Sequence, residues 1–307
     1  MPSYPGRQHI LHSADQKMLF RTGQYFFSVS GKSTLTDLLP LHWKNYEQKE
    51  EPGDNNGAVL YLEEGLKQFS EALSDGWFLQ CDGRRRRAQY VLQGKAIFEL
   101  QYSLPAHNFE SGPSSGNDNS HDFNNEVTIR VRKALDSYVR SGVHYGMLLA
   151  LHQSCVGLHG VTLLCKNEIV ILSAPSGTGK TTLSRLLEQY CDALVINGDF
   201  ALLSPSDSGV IFEPTPFCGT SRRCLNQRVR VDRIVFLGQS PVNEWTASTG
   251  RQALIRFLNN AFIPSWDSEL ESAVQNNIIR CISGLKVDQY FFAPVREAAE
   301  MFFEQLQ

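Results

Sequence analysis

The spacing of apolar residues changes character along the chain. In the first part, short apolar runs stand apart from one another: 58–62 (AVLYL), 89–93 (QYVLQ) and 96–104 (AIFELQYSL) read as strands, as does 22–31 (TGQYFFSVSG). Two polar stretches interrupt them, residues 47–57 and residues 105–126. The second is rich in Asn, Ser, Gly and Asp and poor in apolar positions, and it reads as a mobile loop or linker. Residues 127–145 carry helical spacing and lead into LLALHQSCVGLHG.

From about residue 150 the pattern becomes more regular. Residues 156–165 (VGLHGVTLLC), 168–175 (EIVILSAP), 193–197 (ALVIN), 210–217 (VIFEPTPF) and 233–239 (RIVFLGQ) read as strands. A helical pattern runs from Lys180 to about Tyr190, and residues 296–306 form an amphipathic helix. Strand, loop, helix and strand in that order make the local pattern of an α/β nucleotide fold. The expectation is a mixed α/β (α+β) chain. Residues 1–145 are expected to form a smaller, mostly β region of uncertain fold, and residues 146–307 an α/β nucleotide-fold domain. No internal repeat is evident.

Composition narrows the functional classes. The 307 residues are 42% hydrophobic and 20% charged with a formal net charge of −3, which gives no reason to expect a nucleic-acid partner. No apolar stretch reaches the ~18–20 residues of a membrane span, and the first residues lack the apolar core of a signal peptide. A cytoplasmic protein without a membrane partner is the expectation, and a homo-oligomer is compatible with it. The cysteines, seven in number, form no CxxC pair, and the eight histidines form no HExxH pattern. Cys155, Cys165 and Cys191 have apolar neighbours and read as reduced core thiols rather than zinc ligands or disulfides. Any metal is expected to arrive with a nucleotide.

The candidate chemistry centres on residues 171–187, ILSAPSGTGKTTLSRLL. A phosphate-cradling loop needs small residues, so that backbone N–H groups turn inward ahead of a helix N-terminus. Ser176, Gly177, Thr178, Gly179, Lys180, Thr181 and Thr182 fill that role, with Lys180 for the β/γ-phosphates and the Thr181 hydroxyl for Mg²⁺. Ala174 stands where the usual pattern has its first glycine, which a small side chain tolerates if its φ stays negative. A metal-proximal carboxylate belongs at the end of a neighbouring strand. ALVINGD offers Asp199, whereas RIVFLG ends in Gly238 and Gln239 without one. His159, one strand before the loop strand, is a weaker candidate when taken alone, and His144 and His152 are weaker still.

Taken together, LHGVTLLCKNEIVILSAPSGTGKTTL, INGDFALL and PFCGTSR resemble the C-terminal catalytic domain of HPr kinase/phosphorylase and its smaller relatives. That family shares its nucleotide core with phosphoenolpyruvate carboxykinase. The resemblance covers about residues 148–240 and is strongest to small kinase-like proteins that phosphorylate serine on precursor peptides, the lasso-peptide kinases among them. It implies an ATP- and Mg²⁺-dependent kinase acting on a hydroxyl, most simply serine of a peptide or small protein. In that reading Lys180 and Thr181 serve phosphate and Mg²⁺, Asp199 serves the metal and the acceptor hydroxyl, and His159 assists the carboxylate. Arg222 and Arg223 are possible phosphate or substrate contacts, with a solvated basic turn as the alternative. Gly198 stands where the family has the first of two aspartates.

Other features depart from the parent family. Its later substrate-contacting signature is not found in residues 238–307, and residues 1–145 do not match its N-terminal domain, so HPr itself is not the expected substrate. A nucleotide-binding regulator or ATPase-like protein without an acceptor stays open, as does a kinase for a small metabolite. The run GRRRR at residues 83–87 reads as a solvated turn between strands, or as a site for an acidic leader peptide.

Overall fold

The computed structural model describes residues 15–22, 24–48, 57–69, 74–104 and 126–306. The extreme N-terminus and most of the two polar stretches, residues 49–56 and 105–125, lie outside the described residues. The strands, in chain order, begin with β1 (Asp15–Thr22), β2 (Tyr25–Lys32), β3 (Gly57–Glu64), β4 (Gly76–Asp82), β5 (Arg85–Leu92), β6 (Lys95–Ser103) and β7 (Glu126–Val131). They form a seven-stranded mixed sheet in the order β1-β2-β3-β7-β6-β5-β4. A short helix α1 (Ser33–Thr36) and a 3-10 turn (Leu41–Tyr46) follow β2.

After helix α2 (Asp136–Leu151) the chain builds a second sheet. Its strands are β8 (Val156–Cys165), β9 (Glu168–Ser173), β10 (Leu194–Asn197), β11 (Phe200–Ser206), β12 (Gly209–Glu213), β13 (Val229–Arg230), β14 (Arg233–Gln239), β15 (Glu244–Ala247) and β16 (Lys286–Phe292). This nine-stranded sheet runs β13-β12-β11-β8-β9-β14-β16-β15, with β10 paired to β8. Its helices are α3 (Lys180–Tyr190), α4 (Gly250–Asn260), α5 (Ser268–Ser283) and α6 (Arg296–Gln305). Among the described residues no helix is long and apolar enough to cross a membrane.

The mixed α/β class is as the sequence pattern indicates, but one element differs. Residues 127–131 are a strand, β7, between β3 and β6, and the helix starts later at Asp136. Val127, Ile129 and Val131 alternate and are all buried, so the β-branched face decides against a helical reading. Helix α2 then lies on β7. A Cβ at Gly142 or Gly146 would come within 2.6 or 2.8 Å of the Ile129 side chain, so these glycines set the close approach. Strands β1, β4, β11, β13, β15 and β16 and helices α4 and α5 are further elements beyond those the sequence pattern indicates.

The second sheet is covered on both faces. Val170, Leu172, Val235 and Leu237 pack with Leu183 and Leu187 of α3 and Ala298 and Phe302 of α6. Their neighbours Ile171, Ile234 and Phe236 turn to the other face and pack with Phe257 of α4 and Ile278 of α5. This two-fold alternation follows from strand geometry. The core of the first sheet is shared: Phe200, Leu202 and Leu270 join Leu60, Ile129 and Met147. Cys155 and Cys165 are buried as expected for core thiols, whereas Cys191 is only half-buried.

Candidate functional site

Strands β9, β14 and β16 are mutually parallel, and the glycine-rich loop follows the carboxyl end of β9. The carboxyl edge of parallel strands is where α/β sheets bind ligands. Gly177 and Gly179 adopt φ of 82° and 104°, in the left-handed region that favours glycine. A Cβ at Gly177 would point into open space, while one at Gly179 would lie 3.0 Å from the Phe292 ring. Ala174 is buried and does not have a positive φ, so its methyl group leaves the turn intact. Helix α3 starts behind Gly179 with neither a side-chain cap nor an acidic residue in its first turn. Its N-terminal N–H groups are therefore available to an anion.

Lys180 is buried at the start of α3, and its Nζ donates to the carbonyls of Ala174 (2.5 Å) and Pro175 (3.1 Å). Burial lowers its pKa, and the negative charge of Asp199 partly opposes that shift. The carboxylate expected near the loop is thus electrostatically coupled to the lysine. Beside the loop lies a groove of about 550 Å³ whose lining includes Gly177, Gly179 and Thr182 of the loop region and Gln239, Pro241 and Phe292. Gln239 donates from Nε2 to the Gly177 carbonyl at 3.2 Å. Its position at the end of β14, one strand from the loop strand, was its only signal in the sequence.

Asp199 sits between β10 and β11, and its backbone carbonyl accepts from the Gly160 N–H at 2.9 Å. The approach to this residue is fixed by Asn197, whose buried amide donates to the Thr215 carbonyl and accepts from the N–H groups of Asp199 and Phe200. His159 Nδ1 lies 3.6 Å from Asp199 Oδ1, and both side chains are more than one third exposed. Burial lowers the His159 pKa first, the Lys180 charge lowers it further, and Asp199 opposes both. His159 is therefore held as a neutral imidazole next to the carboxylate at pH 7.

Two residues absent from the sequence-level candidates shape this corner. A Cβ at Gly219 would come within 2.7 Å of the Asp199 carboxyl carbon, so the carboxylate rests on a bare backbone. A Cβ at Gly198 would fall 2.1 Å from Ser221 Oγ, so that oxygen occupies the space a side chain there would need. Ser221 donates from that oxygen to the Cys218 carbonyl at 2.7 Å. A side chain at position 198 would therefore have to displace Ser221, which lies in the short 3-10 turn Gly219–Ser221.

The arginines divide. Arg223 Nη1 contacts both carboxylate oxygens of Glu188 at 2.5 Å, tying its loop to α3. Arg222 is exposed, in a left-handed conformation with φ 54°. The run at residues 83–87 turns between β4 and β5 with Gly83, Arg84 and Arg85 exposed, and Arg86 and Arg87 are half-buried. Arg84 donates to the Leu104 carbonyl, Arg86 pairs with Asp267 and Glu269, and Arg87 pairs with buried Glu99. Arg86 thereby binds the first sheet to the N-cap of α5.

No protein-family model matches the chain, and no curated protein matches it. Among solved structures the chain is similar to the Hpr(Ser) kinase/phosphatase from Coxiella burnetii, at 12% identity and a TM-score of 0.27. The match covers 48% of this chain and 91% of that one. At that score it identifies neither a family nor an activity for this chain.

Proposed function

We propose that this protein is an ATP-dependent kinase that transfers the γ-phosphate to a hydroxyl, with serine of a peptide or small protein as acceptor. The observation that carries this reading is that the buried Lys180, at the uncapped start of α3, stands within electrostatic reach of the Asp199–His159 pair. The left-handed glycines and the open space at Gly177 fit a bound phosphate chain. Residues 176–182 would hold the phosphates, and Thr181 with Asp199 would hold Mg²⁺. Bound ATP and Mg²⁺ would supply the transferable group and neutralise its charge.

The chain's own residues divide the remaining work. Lys180 exchanges its two loop carbonyls for phosphate oxygens. Asp199 takes the proton of the acceptor hydroxyl, and neutral His159 orients the carboxylate without competing for that proton. The demand on this base is small, because phosphoryl transfer depends mainly on positioning and charge neutralisation. The exposure of Asp199 and His159 favours a peptide over an enclosed metabolite.

The test is incubation with ATP and candidate peptides, with ADP release and peptide mass both followed. Acceptor-dependent ADP release with a phosphorylated product supports the reading. One observation favours a second reading, an ATP-binding regulator: Ser221 fills the space beside Gly198, leaving a single carboxylate at that corner. That reading predicts nucleotide binding with no transfer to any peptide, and an Asp199→Asn variant that keeps its biological function.

A further inference from the structure

His42, Cys218 and Cys224 are far apart in sequence, yet their ligand atoms all lie within 4.8 Å of one another. His42 comes from the 3-10 turn Leu41–Tyr46, and the cysteines flank the turn that supports Asp199. His42 Nε2 stands 3.5 Å from Cys218 Sγ and 2.9 Å from the Pro216 carbonyl. In a tetrahedral zinc site with bonds of about 2.1 Å to nitrogen and about 2.3 Å to sulfur, such ligand atoms lie about 3.6 Å apart. The cluster is largely enclosed: Cys218, Trp43 and Tyr46 are buried, and Trp43 packs edge-on against Phe217 at 4.9 Å. A thiol pair with one imidazole is a soft donor set, suited to Zn²⁺ rather than Mg²⁺.

We infer that His42, Cys218 and Cys224 form a Zn²⁺ site with three protein ligands, separate from the phosphate loop. On binding, both thiols lose their protons to solvent, and His42 moves its proton from Nε2 to Nδ1 as Nε2 leaves the Pro216 carbonyl. Three ligands leave a fourth tetrahedral position for water. The site fastens the 41–46 turn to the 218–224 segment. That segment carries Gly219 and Ser221 against Asp199 and Gly198, and Cys224 bridges to Asn197. Zinc here holds the floor under Asp199, and this assignment does not depend on the kinase reading.

The experiment uses the full chain, reduced with a phosphine, stripped with chelator and free of nucleotide. Zn²⁺ alone is added, and bound metal is measured by mass spectrometry after gel filtration. Expected are one equivalent of zinc, a rise in melting temperature with zinc, and sulfur-to-metal charge-transfer absorption when Co²⁺ replaces it. His42→Gln, at a half-buried position, and Cys224→Ser each lose the metal, the absorption and the zinc-dependent rise. Their circular dichroism without metal matches the parent chain. Failure of the reduced chain to take up stoichiometric zinc overturns the inference, including the case where these cysteines pair as a disulfide on oxidation. Zinc retained in a Cys218→Ser/Cys224→Ser double variant also overturns it.

Discussion

His159 and Asp199 meet because strands β8 and β11 are paired: Phe200 lies opposite His159 in that ladder, and Asp199 directly precedes Phe200. The resulting 3.6 Å approach of Nδ1 to Oδ1 is therefore fixed by backbone register as well as by side-chain choice. The loop lysine is close enough for the Asp199 charge to act on it.

Replacing Lys180 by Ala removes the one buried cation of the loop. Nucleotide affinity is expected to fall by about 10- to 100-fold, the scale of a lost charged hydrogen bond. Titration with a fluorescent ATP analogue measures it, and unchanged affinity would place the phosphate elsewhere.

Asp199→Asn keeps the shape of the site and removes its base. Transfer is expected to drop by about 10²- to 10⁴-fold, the usual contribution of a general base, while nucleotide affinity measured without Mg²⁺ changes little. His159→Gln acts through Asp199, so a smaller loss of turnover with an altered pH profile is expected. Parallel binding and phosphopeptide assays separate the two effects.

Gly219→Ala introduces a methyl group into the Asp199 carboxylate at a φ of 60°. A displacement of about 1 Å at a reacting group can cost about 10²-fold in rate. Turnover should fall on that scale while ATP still binds, and kinetics beside a binding titration test this.

Gly198→Asp, which restores the aspartate of the resembled family, collides with Ser221. The expected destabilisation is about 1–3 kcal/mol, as for other overpacking changes. Adding Ser221→Gly should recover much of it. Urea unfolding of the single and double variants reads the coupling, and additive effects would remove Ser221 as the obstacle.

His144 predicts the acid limb of the stability curve. Its ring stacks on Phe217 at 4.1 Å and meets Phe200 at 4.5 Å, and its Nε2, shut off from solvent, has no hydrogen-bond partner among the described residues. Burial depresses its pKa from 6.5 to about 3. Between those values the unfolded chain binds the proton and the folded chain does not, so stability is lost as pH falls from 6.5. The slope is about 1.4 kcal/mol per pH unit, or about 2 kcal/mol between pH 7 and 5. His152, lowered mainly by burial, adds to it. His144→Phe should flatten this limb, and chemical denaturation at the two pH values provides the comparison.

The local signals were strong where the chemistry is local. Seven consecutive residues, 176–182, carry both the turn and the helix start, so the loop and its lysine were legible without a fold. The same holds for β8, β9 and α3, whose apolar periods match their burial. Residues 127–131 form a strand against the helical spacing of 127–145, because five residues hold too few turns to separate a helical from an alternating pattern. The partners in β3 and β6 decided it.

Tertiary structure alone decided the rest. Asp199 is placed near the loop by sequence spacing, but the strand register puts His159 beside it, and Gly219 gives its carboxylate room. Ser221 fills the space at Gly198 from more than twenty residues away, and Arg86 reaches Asp267 across the chain. His42, Cys218 and Cys224 show no ligand spacing at all, and the fold gathers them. The physical reason is one of range. Backbone propensity and apolar period act within a turn or a strand, whereas contacts between distant segments exist only once both sheets have packed on their shared core.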